Sequence, residues 1–383
     1  MVTPSRNGIS VPMWGSDKPH GSMKGVTGMK ITTIGLDVAK DVLQIHGVNE
    51  RGVVVVSRQL KRGKVLEYFA NLESCLVGME ACGGAHDWAR RLIGYGHQVK
   101  LMAPQFVKPY VKGNKNDMRD AEAICEAVTR PNMRFVPVKT AEQQALLALH
   151  RGRQGYVKTR TAFANQMRGL LAEYGIVIKQ GITHLYTRIP EILEDGENGL
   201  PGMFRDLLAR LLKSLKETDQ QVKEMEGEIK AWHQENAASV RLATIPGIGP
   251  LTASALSATV GDARDFKSGR QLAAWLGLVP RQHSSGGKTN LLGISKRGDT
   301  YLRTLLIHGA RAVIRVAPAK RKPDDWINRL IGRRNKNIAA VAVANRNARI
   351  AWALLTRKED YKPPEHRHLP APPVPSAATP CPA

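Results

Sequence analysis

The chain has 383 residues, 42% of them hydrophobic, which allows two or three packed domains and excludes a wholly disordered protein. Lys and Arg number 57 against 33 Asp and Glu, a formal net charge of +24. Self-repulsion of that size opposes folding and points to a polyanionic partner, nucleic acid first. An anionic membrane is the rival, but no apolar run approaches the ~20 residues of a transmembrane helix. The four cysteines, Cys75, Cys82, Cys125 and Cys381, form no CxxC pair and no zinc spacing. A reduced, cytoplasmic compartment is expected, with the cysteines as small hydrophobes.

Residues 1–29 are rich in Gly, Ser and Met and lack the apolar core of a signal peptide, so a disordered leader is expected, with Met29 as an alternative start. Ile31 to Leu36 reads as a buried strand ending at Asp37. "VLQIHGV", the turn "NERG" and "VVVVS" extend it into an antiparallel meander. A helix is expected over 62–73, a strand in "CLVGME" ending at Glu80, a helix over 85–95 and a fifth strand in "HQVKLMAP". A helix then starts near "NDMRDAEAICEAV". This order predicts an α/β domain over 30–135, a mixed five-stranded sheet with helices packed on it.

Residues 136–237 read as helical, with breaks at Gly and Pro up to residue 200. Beyond Pro201, Phe204, Leu208, Leu211, Leu215, Thr218, Val222, Met225, Ile229 and Trp232 recur by fours and threes. That is the apolar seam of a coiled coil, closed within the chain or between chains. Residues 238–360 form a mostly helical carboxyl-terminal domain. It opens on "IPGIGPLTASAL", a Gly/Pro turn before a helix, a place where amide N–H groups can meet a phosphate. Residues 281–360 carry 18 Lys/Arg against 5 Asp/Glu, much of the excess charge. Residues 361–383 are Pro-rich and read as a disordered tail.

Four acids carry the chemistry. Asp37 and Glu80 end strands, while Asp117 and Asp120 are three apart and share a helix face. Four carboxylates in one place repel one another and raise one another's pKa. Divalent cations relieve this, and Mg²⁺ suits carboxylates with phosphate oxygens and retained waters. Two such ions would clamp an in-line phosphoryl transfer, with Mn²⁺ able to substitute. Taken singly, each acid also fits a turn former or a helix cap. Lys115 and Arg119 flank the helical pair as phosphate contacts or solvated charges.

"TIGLDVAKDVLQIHG", "GMEACGG" and "KNDMRDAEAICEAVTRP" resemble the amino-terminal DEDD domain of IS110-family transposases, above all the IS1111 group. "IPGIGPLTASAL", "WLGLVPRQHSSGGK" and "GISKRGDTYLRTLLIHGAR" resemble the carboxyl-terminal domain of the same family. The resemblance implies a RuvC-like, ribonuclease-H-type fold for the first domain, with its four acids falling on Asp37, Glu80, Asp117 and Asp120. It also implies a nucleophilic serine in a Ser-Gly motif. Ser285 abuts Gly286 and is the first choice, with Ser284 as the alternative. By itself "RQHSSGGK" fits a flexible linker. As a site, its glycines admit a phosphate close to the backbone, and Arg281, His283 and Lys288 could steady its charge. Lys296, Arg297 and Arg303 are further candidate nucleic-acid contacts.

The expected function is that of an insertion-sequence transposase, a DNA recombinase. Its metal cluster would activate a serine that holds DNA as a phosphoserine while strands exchange. The acids and Ser285 lie far apart in sequence, so they meet by folding or by assembly of a dimer or tetramer through the seam. The resemblance further implies guidance by a structured noncoding RNA encoded in the element, pairing with double-stranded DNA at target and element ends, and work at the nucleoid. Two alternatives remain: a RuvC-like nuclease in which water attacks, and an inert DNA-binding relic.

Overall fold

The computed structural model describes residues 30–113, 116–320, 322 and 325–362. The expected leader, nearly all of the Pro-rich tail and the candidate Lys115 lie outside the described residues. The chain divides into two compact units at Val138/Lys139.

The first unit is built on strands β1 (Thr33–Val38), β2 (Val42–Val48) and β3 (Val54–Lys61). Helix α1 (Val65–Ala70), strand β4 (Leu76–Glu80), helix α2 (Ala85–Gly94) and strand β5 (Gln98–Met102) follow. The short α3 (Pro104–Val107), helix α4 (Asp117–Val128) and the two-residue β6 (Phe135–Val136) complete it. The sheet order is β3-β2-β1-β4-β5-β6. β1, β2 and β3 are antiparallel neighbours, whereas β1–β4 and β4–β5 are parallel, as a ribonuclease-H-like sheet requires. The expected five strands become six, because β6 pairs with β5 through only two residues, too short for an alternation to show in sequence. One face of the sheet buries Ile34, Leu36, Leu43, Ile45, Val77 and Met79 with Phe69, Trp88 and Leu92 from α1 and α2. The other face carries α4.

The second unit opens on three helices, α5 (Ala141–Ala172), α6 (Ile182–Glu194) and α7 (Gly202–Glu235). α5 begins on a capping box from Thr140 and Gln143 and runs unbroken through Gly152, Gly155 and Gly169. The expected breaks fall at Gly175–Gly181 and at Gly199–Pro201, between the helices, but not at the glycines inside α5, where tertiary packing overrides a propensity cost of about 1 kcal/mol per glycine. α5 and α7 lie antiparallel. Trp232 Nε1 donates to Glu142 (2.8 Å), Arg153 Nε donates to Glu226 (2.8 Å), and Arg160 meets Asp219 (2.6 Å). The first half of the α7 seam, to Leu215, is covered within the chain by Ala164, Met167 and Leu171 of α5 and Leu185, Ile189 and Ile192 of α6, and Ile229 packs with Leu146 of α5 and Ala258. The seam drifts as it goes: Leu212 is buried where the heptad spacing named Leu211, and His233 where it named Trp232. A straight helix of 3.6 residues per turn leaves a 3.5-residue seam behind in this way.

Helices α8 (Ala237–Ala243), α9 (Pro250–Val260) and α10 (Gly269–Trp275) lead into strands β7 (Pro280–Ser285) and β8 (Lys288–Ile294). Helices α11 (Thr300–Lys320), α12 (Trp326–Arg333) and α13 (Lys336–Arg357) close the unit. Its core joins Leu256, Leu272, Leu306, Val343 and Leu354 to many alanines, so these helices approach closely. A Cβ on Gly309 of α11 would lie 1.7 Å from the Gly247 carbonyl oxygen. The Pro-Gly-Ile-Gly-Pro turn is thus pressed on α11, and Asn347 of α13 donates to the Pro246 carbonyl (2.9 Å). Among the described residues, no helix is long and apolar enough to cross a membrane.

Candidate active site

The acid cluster is set by two glycines. Gly35 of β1 and Gly78 of β4 are directly paired, so both point to the face under α4. A Cβ on Gly35 would lie 2.0 Å from the Ala121 carbonyl oxygen and 2.5 Å from the Cys125 nitrogen, and one on Gly78 would lie 2.8 Å from Val128 Cβ. Helix and sheet therefore meet backbone to backbone at Gly35, while at Gly78 the Val128 side chain takes the space a Cβ would need. Side chains alternate along a strand, so Asp37 and Glu80, each two residues beyond its glycine, share that face. α4 starts at Asp117, capped by Asn116, whose side chain accepts from Met118 N (3.0 Å). Its first turn thus lies over the strand ends that carry the acids.

The result is a compact group. Ligand oxygens of Asp37, Asp117 and Asp120 lie within 4.8 Å of one another, two of these residues half-buried and Asp117 exposed. Glu80 is outside this trio. It sits one step beyond the last β1–β4 pair, Leu36–Met79. It shares a neighbour with the trio: burial pushes the Cys82 thiol up, and the charges of Glu80 and Asp37 add to that shift. The N-terminus of α4 favours the two helical carboxylates electrostatically, and a cation among the three acids would relieve their mutual repulsion. Oxygen-only donors with one exposed member suit a hard divalent ion that keeps waters. Arg119 lies over Gly113, where a Cβ would meet its Nη1 at 2.6 Å.

"RQHSSGGK" is no linker. Residues 280–294 form a two-stranded hairpin, with Ser285 paired to Lys288 and Ser284 to Thr289 across a two-residue turn. Gly286 (φ 55°) and Gly287 (φ 76°) both occupy the left-handed region that a tight hairpin turn demands. Gly-Gly between two short polar runs was the available signal, masked because the strands lack apolar alternation. The strand geometry separates the two serines. Ser285 shares its face with His283, Lys288 and Asn290; Ser284 shares the other with Gln282, Thr289 and Leu291. Gln282 Nε2 donates to Ser284 Oγ (2.7 Å). Both serines and Arg281, His283 and Lys288 are exposed.

The remaining basic candidates differ. Lys296 takes a left-handed backbone (φ 54°) and donates its N–H to the Gly277 carbonyl (3.2 Å). The Arg297 backbone presses on Gly277, where a Cβ would lie 2.3 Å from its carbonyl oxygen. Arg303 is only 7% exposed, and its guanidinium donates to the Leu276 carbonyl (3.2 Å) and to Thr300 Oγ1 (3.1 Å). Arg303 therefore fastens the segment after the hairpin to the end of α10, a structural post rather than a surface charge.

Comparison with known proteins agrees with both halves. Residues 34–176 match the family model for the IS110 DEDD transposase domain, and residues 239–324 that of the transposase IS116/IS110/IS902 family. A Pseudomonas aeruginosa protein named "Probable family 20 transposase" is 52% identical over 88% of this chain and 100% of its own length. The transposase for insertion sequence element IS1111A of Coxiella burnetii is 49% identical over 87% of this chain and 92% of its own. That for element IS1328 of Yersinia enterocolitica is 43% identical over 85% and 97%. A DEDD transposase domain implies dependence on a divalent metal, and the acid cluster matches that requirement. The chain, a DNA-acting enzyme with both domains in order, belongs to the IS110 family of transposases, in its IS1111 group.

Proposed function

We propose that this transposase cuts and rejoins DNA through a covalent serine intermediate, with Ser285 as nucleophile and Asp37, Glu80, Asp117 and Asp120 holding Mg²⁺. The observation that carries the reading is the meeting of Asp37, Asp117 and Asp120 within 4.8 Å. Bound there, Mg²⁺ supplies Lewis-acid stabilisation of charge on the attacking and leaving oxygens. The Ser285 hydroxyl attacks a DNA phosphorus. A Ser Oγ–P bond forms, a deoxyribose O–P bond breaks, and the hydroxyl proton ends on the released deoxyribose oxygen. Rejoining reverses these steps with a different strand end, so phosphodiester energy is conserved and no nucleotide cofactor is needed. Lys288 and His283, on the Ser285 face, are the groups to steady the phosphate and move the proton. Gln282 occupies the Ser284 hydroxyl instead, which favours Ser285 of the two.

The acids and Ser285 belong to different units of the chain, and we assign their meeting to a homo-oligomer in which one subunit's acids serve another's serine. Since the α7 seam packs within the chain, against α5, α6 and Ala258, we assign assembly to other surfaces. A structured RNA encoded by the element supplies sequence specificity in this reading; copurified RNA that maps to the element's own noncoding end supports it, and its absence counts against it. The serine is tested by Ser285→Ala and Ser284→Ala on denaturing gels. Ser285→Ala should abolish the protein–DNA adduct and strand exchange while Ser284→Ala keeps both. The reverse result moves the nucleophile by one residue, and cleavage by both variants returns the reaction to a water nucleophile.

A further inference from the structure

One buried polar side chain beside the acids is used by neither the fold nor the proposed chemistry. On the face under α4, the row that contains Asp37 continues sideways: Asp37 pairs with Gln44 of β2, and Gln44 with Gln59 of the edge strand β3. Directly paired residues hold their Cβ atoms about 4.5–5.5 Å apart on the same face. Gln44 is therefore the lateral neighbour of Asp37, opposite to the side taken by Glu80. It is only 4% exposed. Burying an amide is costly unless its donors and acceptor are matched. Among the described residues its one hydrogen bond is a long one, from Nε2 to the carbonyl of adjacent Ile45 (3.3 Å). One N–H and the carbonyl oxygen remain for something else.

An apolar residue would pack in this position more cheaply. The opposite face of the same strand shows the alternative, with Leu43 and Ile45 fully buried in the core. The amide gains its use when the acid site is loaded. A carboxylate that ligates a metal is commonly oriented by a hydrogen-bond donor behind it, and hydrated Mg²⁺ keeps waters that need acceptors. A primary amide offers both.

We propose that Gln44 is a positioning residue of the metal site: its free N–H orients the Asp37 carboxylate, and its carbonyl oxygen accepts from a water held by the ion. This rests on the metal-binding reading of Asp37, Asp117 and Asp120, and the controls keep the two apart. The measurement is Mn²⁺ binding to the full-length protein by titration calorimetry, with thermal melting in the absence of metal. Gln44→Leu and the volume-conserving Gln44→Met should each weaken Mn²⁺ binding about 10-fold, with the metal-free melting temperature unchanged or higher. Gln44→Glu, which keeps an acceptor but lacks the donating N–H, should recover only part of the affinity. Gln59→Leu, one strand further out and exposed, should leave it unchanged. Asp37→Asn should lose binding. If the Gln44 variants that fold bind Mn²⁺ as the parent does while Asp37→Asn fails to, Gln44 has no such role. If Asp37→Asn itself binds normally, the metal site is elsewhere and the inference falls with it.

Discussion

Two residues show how burial decides chemistry here. His150 of α5 is 1% exposed and lies between Tyr301 (Nδ1 to Oη, 3.0 Å) and Ser254 (Nε2 to Oγ, 3.1 Å). Ser254 itself donates to the Pro250 carbonyl (2.7 Å). Its oxygen therefore accepts from His150 Nε2–H, and Nδ1 accepts from the Tyr301 hydroxyl. Burial, aided by the Arg153 charge, lowers the His150 pKa to about 4. Between pH 6.5 and 4 the unfolded chain binds a proton that the folded one refuses. Stability from this group is thus present above pH 6.5 and falls with acid, by about 3 kcal/mol once pH is below 4. The urea midpoint should fall less between pH 7 and 4.5 in His150→Gln than in the parent; equal losses would remove His150 as the cause. Asp120 is the complementary case, half-buried among acids. Asp120→Asn should lose Mg²⁺-dependent cleavage by at least about 100-fold while keeping DNA binding, by gel shift, and retained cleavage would take Asp120 out of the site.

At the scale of elements, the decisive contact is α4 on the Gly35–Gly78 pair. Gly35→Ala would drive a methyl group into the Ala121 carbonyl at 2.0 Å, and helix backbone cannot yield as a side-chain tip can. It should cost at least about 3 kcal/mol and reduce metal binding together with stability, read by melting and Mn²⁺ titration; an unshifted melting temperature would disprove the close approach. The order of strands and helices was legible from alternation and apolar runs, and so was the placing of Asp37, Asp117 and Asp120 at a strand end and a helix start, because such boundaries are readable. The glycine pair was not, since nothing local to "IGLDV" or "VGME" tells that a helix rests there. The hairpin at 280–294 escaped for a different reason: its strands are solvent-exposed up to the half-buried Ile294, so no inward face imprinted a period of two. The α7 seam was readable as a seam, but its partner was not, because α5 spreads its apolar contacts over 32 residues with a glycine in every few turns.

For the molecule as a whole, charge is the widest feature and the one most open to salt. The basic excess over 281–360 should make DNA affinity fall linearly with log salt, each phosphate contact adding about 0.9 to the slope. Lys288→Ala should lower that slope by about 1 with little change in sequence preference, whereas Arg303→Ala should act on folding, since its guanidinium is already committed inside the protein. Filter binding from 50 to 300 mM salt separates the two, and a slope unchanged in Lys288→Ala would place DNA elsewhere.

The Gly286–Gly287 turn has one more consequence. Because neighbouring residues of a strand look to opposite sides, the Ser284–Ser285 doublet presents a hydroxyl on each face of the arm. Adding or deleting one residue on one side of the turn would exchange the two, carrying Ser284 to the side of Lys288 without altering a catalytic letter. Under the proposed serine chemistry the nucleophile would then migrate along the chain while the reaction stays the same, and alignments that count columns would misplace it where the geometry of the arm does not.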